Sequence, residues 1–346
     1  MDFEAHLGIT KIIDAHEKKI RALNPKPTLK QLFVYLKKQE KSIQPLIKKK
    51  FGPCVSKTIF FISIARRFGF DVEAVEVKED EDGVKYPIFQ QSLVSHVCAA
   101  VKTKKGTQLV DLTRQTFPAK HREFERMSDE YLLSTAHSNR GPYLSFEKAE
   151  EELKHAIDIY PKNYEAHLNL ADLYIRNKNT SKALEIINYL KLKIPKDSML
   201  LLHLSRIYYD LGLFDDAEVA VDDSLNSFPK NEYAKTLKAA LLIAKDRPHD
   251  ALKHLETVAD TPHSLFHKTI AHLMVGNAQK ARSTVVNLFE VADNPMLKTL
   301  GKIILNKFPQ YLEMARDCFD VALSKNLSDE EAFKLYDEVN KLLKNR

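Results

Sequence analysis

The chain of 346 residues has no tryptophan, nine glycines and only three cysteines. Cys54, Cys98 and Cys318 are too few for a disulfide framework, so the fold must rest on its apolar cores, and a reducing, cytoplasmic setting is expected. Neither Cys-x-x-Cys nor His-Glu-x-x-His occurs, which removes the common zinc spacings; no metal and no cofactor is expected. No apolar run approaches the roughly 18 residues of a membrane span. The opening stretch MDFEAHLGITKIIDAHEKK mixes acids with bases and lacks the apolar segment of a signal peptide.

What is present is ordinary for a soluble globular protein: 44% hydrophobic and 29% charged residues, in a length that predicts about two domains. The net charge of +6 is uneven, because residues 1–50 alone carry about +7. Lys37, Lys38, Lys41 and Lys48-Lys49-Lys50 form a basic stretch, read as a solvated helix face. No aromatic-interleaved basic motif accompanies it, so nucleic acid is not an expected partner.

The strongest pattern is a period. Pro161, Pro195 and Pro229 are 34 residues apart, and Ala149, Ala183 and Ala217 precede them by 12. Tyr174 and Tyr208 keep the same step, as do Leu170 and Leu204. This is the tetratricopeptide period. Small side chains let antiparallel helices approach, proline ends the second helix of each pair, and leucines and aromatics fill the groove between them. The phase continues through Ala251 and then becomes imperfect: Pro262 arrives one residue early, Pro295 follows 33 residues later, Ala281 marks a shortened unit, and Ala315, Phe319 and Ala322 reproduce the spacing of a second repeat helix. About five helical pairs are expected over residues 144–326, closed by a helix with Ser328 as its N-cap. The pattern predicts an all-α solenoid over 144–346, whose concave surface takes a protein or peptide.

Residues 1–143 break the period. Amphipathic spacing predicts helices over 3–23 and 28–48. Residues 54–68 are apolar nearly all round, which predicts a buried helix. Strands are expected at 72–77, 94–101 and 107–112, giving an α+β domain.

Gly52-Pro53-Cys54 stands at the start of that buried helix. A helix N-terminus offers unpaired N–H groups and positive potential, which favour a thiolate nucleophile. Such a thiolate needs a base, and the base an orienting group. His96 and Asp111 lie on successive strands. A hairpin with Val101 opposite Gly106, around the loop Lys102–Lys105, sets His96 across from Asp111.

The ordered set Gly-x-Cys at a helix start, Gly69 near that helix's end, and His96…Gly106…Asp111-x-Thr113 resembles the transglutaminase-like branch of the papain-type fold, over roughly residues 40–120. The resemblance implies Cys54 as nucleophile, His96 as general base and acid, and Asp111 as orienter. The aromatic residues common in that family after the histidine and before the aspartate are here Cys98 and Gln108. Candidate oxyanion donors are the backbone N–H of Cys54 and the side chains of Gln44, Gln90 and Gln91. Taken singly, Cys54 reads as a small buried hydrophobe and His96 as a core histidine; order and spacing together carry the functional reading. Cys98 shares the strand face of His96 and reads as core packing rather than a redox partner of Cys54. His121, in a charged stretch past the hairpin, is a lesser alternative base. Lys57 stands where a zinc deaminase would place a second cysteine, which argues against that chemistry. Two functions follow from these residues. One is thiol acyl transfer on a protein or peptide amide, as protease, deamidase or transglutaminase. The other is a non-catalytic repeat scaffold with a degenerate docking domain.

Overall fold

The computed structural model describes residue 4 and residues 7–39, 52–79, 96–193 and 198–345. Helix α1 (Thr10–Leu23) buries Ile13, His16 and Ile20 along one stripe. The expected helix over 3–23 does not run unbroken. Gly8 takes a left-handed φ of +59°, which a right-handed helix cannot continue through, and Ile9 caps the helix that follows. Helix α2 (Leu29–Lys37) starts at a capping box in which the Thr28 hydroxyl accepts from the Gln31 N–H and the Gln31 side chain accepts from the Thr28 N–H. The remainder of the expected 28–48 helix, from residue 40, lies outside the described residues.

Helix α3 (Pro53–Arg67) is buried without a break from Cys54 to Ala65. Its Ile59, Phe60, Phe61, Ile62 and Ile64 form the centre of the first core, each stabilising by about 1.5–3 kcal/mol relative to exposure. The helix ends where Gly69, at φ +78°, lets the Phe70 N–H reach back to the Ala65 carbonyl at 3.2 Å.

Five antiparallel strands follow: β1 (Val72–Glu79), β2 (His96–Thr103), β3 (Gly106–Asp111), β4 (Thr116–Ala119) and β5 (Glu123–Met127), in the order β4-β3-β2-β1-β5. Three were expected; β4 is only four residues long and contains Pro118, and β5 is short and mostly charged, so neither shows a clear alternation. Val97, Ala99 and Val101 alternate into the helical core, and the Thr58 hydroxyl donates to the Val97 carbonyl at 3.0 Å. The opposite face carries Val75, Val77, Cys98, Ala100, Leu109 and Ala119, a cluster built from strands alone. Connectivity explains it. From Ala119 at the end of β4 to Glu123 at the start of β5 the chain has four steps, at most about 14 Å. Four strand spacings in a flat sheet require about 19 Å. The sheet must therefore curl, and the strand-only cluster fills its concave side.

The hairpin register corrects the expected one. Thr103 pairs with Gly106 and Val101 with Gln108, so the loop is Lys104-Lys105 rather than Lys102–Lys105. The slip is two residues, an even number, so each side chain keeps its face.

Helices then alternate in hairpins: α4 (Asp129–Arg140), α5 (Phe146–Ile159), α6 (Tyr164–Arg176), α7 (Thr180–Lys191) and α8 (Ser198–Asp210). They complete one compact unit, Met1–Leu211, together with the sheet. Helix α4, which the period did not announce, packs on α5. It is capped by Ser128 and held by a two-pronged ion pair from Arg66 to Asp129 at 2.7 and 2.8 Å. Ala149, Ala183, Tyr174 and Tyr208 are buried, as the groove-filling argument requires.

The second unit, Gly212–Arg346, contains α9 (Phe214–Ser227), α10 (Glu232–Ala244), α11 (Pro248–Leu255), α12 (Pro262–Met274), α13 (Ala278–Val291), α14 (Asn294–Lys307), α15 (Leu312–Lys325) and α16 (Glu330–Lys344). Ala217, Ala251, Ala281, Ala315, Phe319 and Ala322 are fully buried here. Two details differ from expectation. Pro161 and Pro229 follow helix ends, but Pro262 and Pro295 open the first turns of α12 and α14, where a missing N–H costs nothing. Pro195 lies outside the described residues. The last helix is capped by Asp329, which accepts from the Ala332 N–H at 2.9 Å, not by Ser328, which bonds Asn326. No described helix is long and apolar enough to cross a membrane.

Candidate functional site

Cys54 is the second residue of α3 and is buried. Gly52 precedes it at φ +87°, a conformation open to glycine, and a Cβ there would lie 3.1 Å from Asn139 Nδ2 of α4. The first turn of α3 has no side-chain cap and no acidic residue, so the positive helix end is not neutralised by its own sequence.

His96 opens β2 and Asp111 closes β3, and both are buried. In the observed register they are diagonal rather than opposite, and they still share a face. The imidazole and carboxylate span the diagonal, with His96 Nε2 2.6 Å from Asp111 Oδ2. His96 also hydrogen-bonds the Cys54 side chain. With Nε2 committed to the carboxylate, Nδ1 is the ring nitrogen left to exchange a proton with sulfur. Cys54, His96 and Asp111 are thus brought together in the order expected of them.

Asp111 is held from both sides. The N–H groups of Thr113 and Arg114 donate to Oδ1, each at 2.9 Å. Burial works against its charge, but the hydrogen bonds from His121, His96 and the Arg114 N–H outweigh it and hold the carboxyl well below the usual range. For His96, burial favours the neutral ring. The Asp111 and Cys54 hydrogen bonds and charges act more strongly, and its pKa is pushed up to about 9. An imidazolium beside a sulfur is the setting that favours a thiolate.

His121 is the residue that sequence reasoning undervalued. It is buried, its Nε2 lies 3.1 Å from Asp111 Oδ2, and its ring meets His96 edge to face with centroids 5.7 Å apart. Its Nδ1 is buried with no hydrogen-bond partner. It sits in the short crossing from β4 to β5. A linear reading sees a polar stretch there, whereas the curled sheet turns it inward. Asp111-x-Thr113 followed ten residues on by a histidine was the available signal, but only the strand order gives it meaning.

Cys98 packs in the concave cluster, as expected. Burial first, then the charges of Asp111 and Cys54, push its thiol well up. None of the three cysteines is in a disulfide. Gln44, Gln90 and Gln91, the side-chain oxyanion candidates, lie outside the described residues, as do Lys41 and Lys48–Lys50 of the basic stretch.

Residues 145–201 match the tetratricopeptide repeat family model. The helical pairs over those residues are thus of the tetratricopeptide type. No curated protein matches the chain. Among solved structures, similarity extends to the APC/C hetero-tetramer Cut9–Hcn1, at 12% identity and a TM-score of 0.46 over 60% of this chain and 42% of that one. It extends to PilF of Pseudomonas aeruginosa, at 15% identity and 0.46, over 62% and 99% of the two chains. A tetratricopeptide repeat protein from Parabacteroides merdae ATCC 43184 follows at 18% identity and 0.40, over 61% and 99%.

Proposed function

We propose that this protein recruits a protein partner through its repeat helices and acts on an amide of that partner through the thiol of Cys54. The recruiting half rests on the repeat family match. The chemical half rests on one observation, the continuous hydrogen-bonded line Cys54–His96–Asp111 at the start of a buried helix. A cysteine at a helix start, followed by antiparallel strands that bear the histidine and the aspartate, is the arrangement that supports a transglutaminase-like assignment of residues 1–143, with the repeat array over 144–346.

In this reading the Cys54 thiolate attacks the carbonyl carbon, and the C–N bond breaks as the His96 imidazolium gives its proton to the leaving amine. The thioester then passes to water or to a second amine, whose proton returns to His96. Asp111 keeps Nε2 protonated and the ring oriented throughout. The backbone N–H of Cys54 is the candidate donor to the developing oxyanion. Water as acceptor gives proteolysis or deamidation; a lysine gives a cross-link.

A second reading keeps only the recruiting half, with the sheet domain as a docking module, and the comparisons, which concern the repeats alone, favour it. Alkylation of Cys54 against pH separates the two. The enzyme reading expects fast alkylation below neutral pH that collapses in His96→Ala. An ordinary thiol profile, unchanged in that variant, leaves the scaffold. Mass spectrometry of lysate proteins incubated with wild type and Cys54→Ala then names the acceptor.

A further inference from the structure

We propose that His121 is a positioning residue that shares the Asp111 carboxylate with His96 and so sets how firmly that carboxylate holds the His96 proton.

The strands build the place of the ring. Asp111 closes β3, which pairs with β4 through Leu109–Ala119 and Asp111–Thr116. His121 lies in the link from β4 to β5. On one side Ala119 packs in the concave cluster, and on the other the Arg122 N–H donates to the Glu79 carbonyl at 2.9 Å. Anchored at both ends, the His121 side chain is fully buried and turns Nε2 to Asp111 Oδ2 at 3.1 Å. The rings of His121 and His96 meet edge to face, and both present Nε2 to the same oxygen.

The carboxylate is thereby filled. An ionised carboxylate has about four acceptor sites. The Thr113 and Arg114 N–H groups take two on Oδ1, and the imidazoles take two on Oδ2. The pair on Oδ2 is unequal, 2.6 Å to His96 and 3.1 Å to His121. A charged donor makes the shorter bond, so His96 is the imidazolium and His121 donates from a neutral ring. Its Nδ1 agrees. A proton there would be a buried donor, and that atom has no hydrogen-bond partner among the described residues.

Each donor to a carboxylate draws charge from it. His121 therefore weakens the acceptor that His96 faces, while its own bond helps to keep Asp111 ionised. Near neutral pH the second effect is not limiting, because His96 and the Arg114 N–H also hold the carboxyl down. Removing the His121 donor should then tighten the hold of Asp111 on the His96 proton. The other titratable groups around the carboxylate are Cys98 of β2 and, beyond His96, Cys54 of α3. Lys120 and Arg122, beside His121 in the chain, are exposed, and Arg122 pairs with Glu79 at 3.2 Å. The catalytic meaning, a His96 able to release its proton to the leaving amine, rests on the acyl-transfer function proposed above; the shared carboxylate does not.

The test compares His121→Phe, which fills the space without a donor, with His121→Gln, whose amide N–H can stand in for the ring N–H. Histidine-ring NMR of the full-length protein reads His96. A hydrogen bond to a charged group is strong enough to move a partner's pKa by about one unit. In His121→Phe the His96 pKa should rise by about that much from its wild-type value of about 9, and in His121→Gln it should return. His121→Leu gives the same reading if the phenylalanine variant does not fold. The acid limb of Cys54 alkylation by iodoacetamide should move to lower pH in the donor-free variants alone, because a firmer imidazolium stabilises the thiolate. An unchanged or lowered His96 pKa in the donor-free variants, or a glutamine variant that behaves as they do, overturns the proposal whatever the thiol does. A raised His96 pKa in a protein whose Cys54 alkylates as an ordinary thiol leaves His121 in its role and removes the enzyme reading alone.

Discussion

Replacing Asp111 with asparagine should uncouple His96 from its proton. Asparagine has the same shape, and its carbonyl oxygen can keep the Thr113 and Arg114 N–H groups that Oδ1 now holds at 2.9 Å. Its amide nitrogen, however, replaces an acceptor with a donor in front of His96 Nε2. What remains for His96 is burial, which favours the neutral ring, against the hydrogen bond and charge of Cys54. Its pKa should fall from about 9 in the wild type to 6.5 or below. A drop of roughly 2.5 units corresponds to about 3 kcal/mol of differential stabilisation. The stability linkage has a definite sign. The folded pKa is raised above the unfolded value, so the stabilisation is complete below about pH 6.5 and is lost as pH rises through about 9. Between about pH 6 and pH 10 the wild type should lose about 3 kcal/mol more than Asp111→Asn in denaturant titrations. NMR of ring-labelled histidine in the presence of a chelator reads the pKa directly, with the His96 signal assigned by its loss in His96→Gln. A wild-type His96 that titrates near 6.5, or a variant that moves it by less than one unit, would refute the reasoning.

Other substitutions probe the frame around the site. Gly52→Ala forces φ +87° on a residue with a Cβ and presses it against Asn139, so it should destabilise by about 1–3 kcal/mol and slow Cys54 alkylation. Thr58→Val removes the buried donor to the Val97 carbonyl at 3.0 Å and should cost about 1 kcal/mol, read as a shift in denaturation midpoint with thiol reactivity retained. In the second unit, Gly301→Ala places a Cβ 2.6 Å from Phe319 Cε1, and overpacking there should cost about 1–3 kcal/mol. Its Cys54 alkylation profile should match the wild type, and a changed profile would mean that the two units are energetically coupled.

The repeat array was legible because its determinants are local and periodic. An alanine every 34 residues, with tyrosines and leucines in phase, reports helix-to-helix distance without any knowledge of the partner helix. Ala149, Ala183, Ala217 and Ala251 are all fully buried. Glycine can serve the same end less visibly: Gly301 lies under Phe319 with no repeat to announce it. The buried helix α3 was equally plain, because an apolar run leaves no face for water.

The site was half legible. Cys54, His96 and Asp111 could be chosen in order from helix start, strand and strand. Their meeting survived a mistaken hairpin loop only because a two-residue slip preserves the face of every side chain, whereas a one-residue slip would have parted them. His121 could be named only as a lesser alternative base. Its approach to Asp111 follows from β4 and β5 lying on opposite edges of one sheet, joined by a link too short for a flat one. The sequence by itself determined where the chain is helical, which alanines let helices touch, and which thiol stands at a helix start. Only the tertiary structure decided that a second imidazole shares the carboxylate, because curl is a property of the whole sheet and no single strand encodes it.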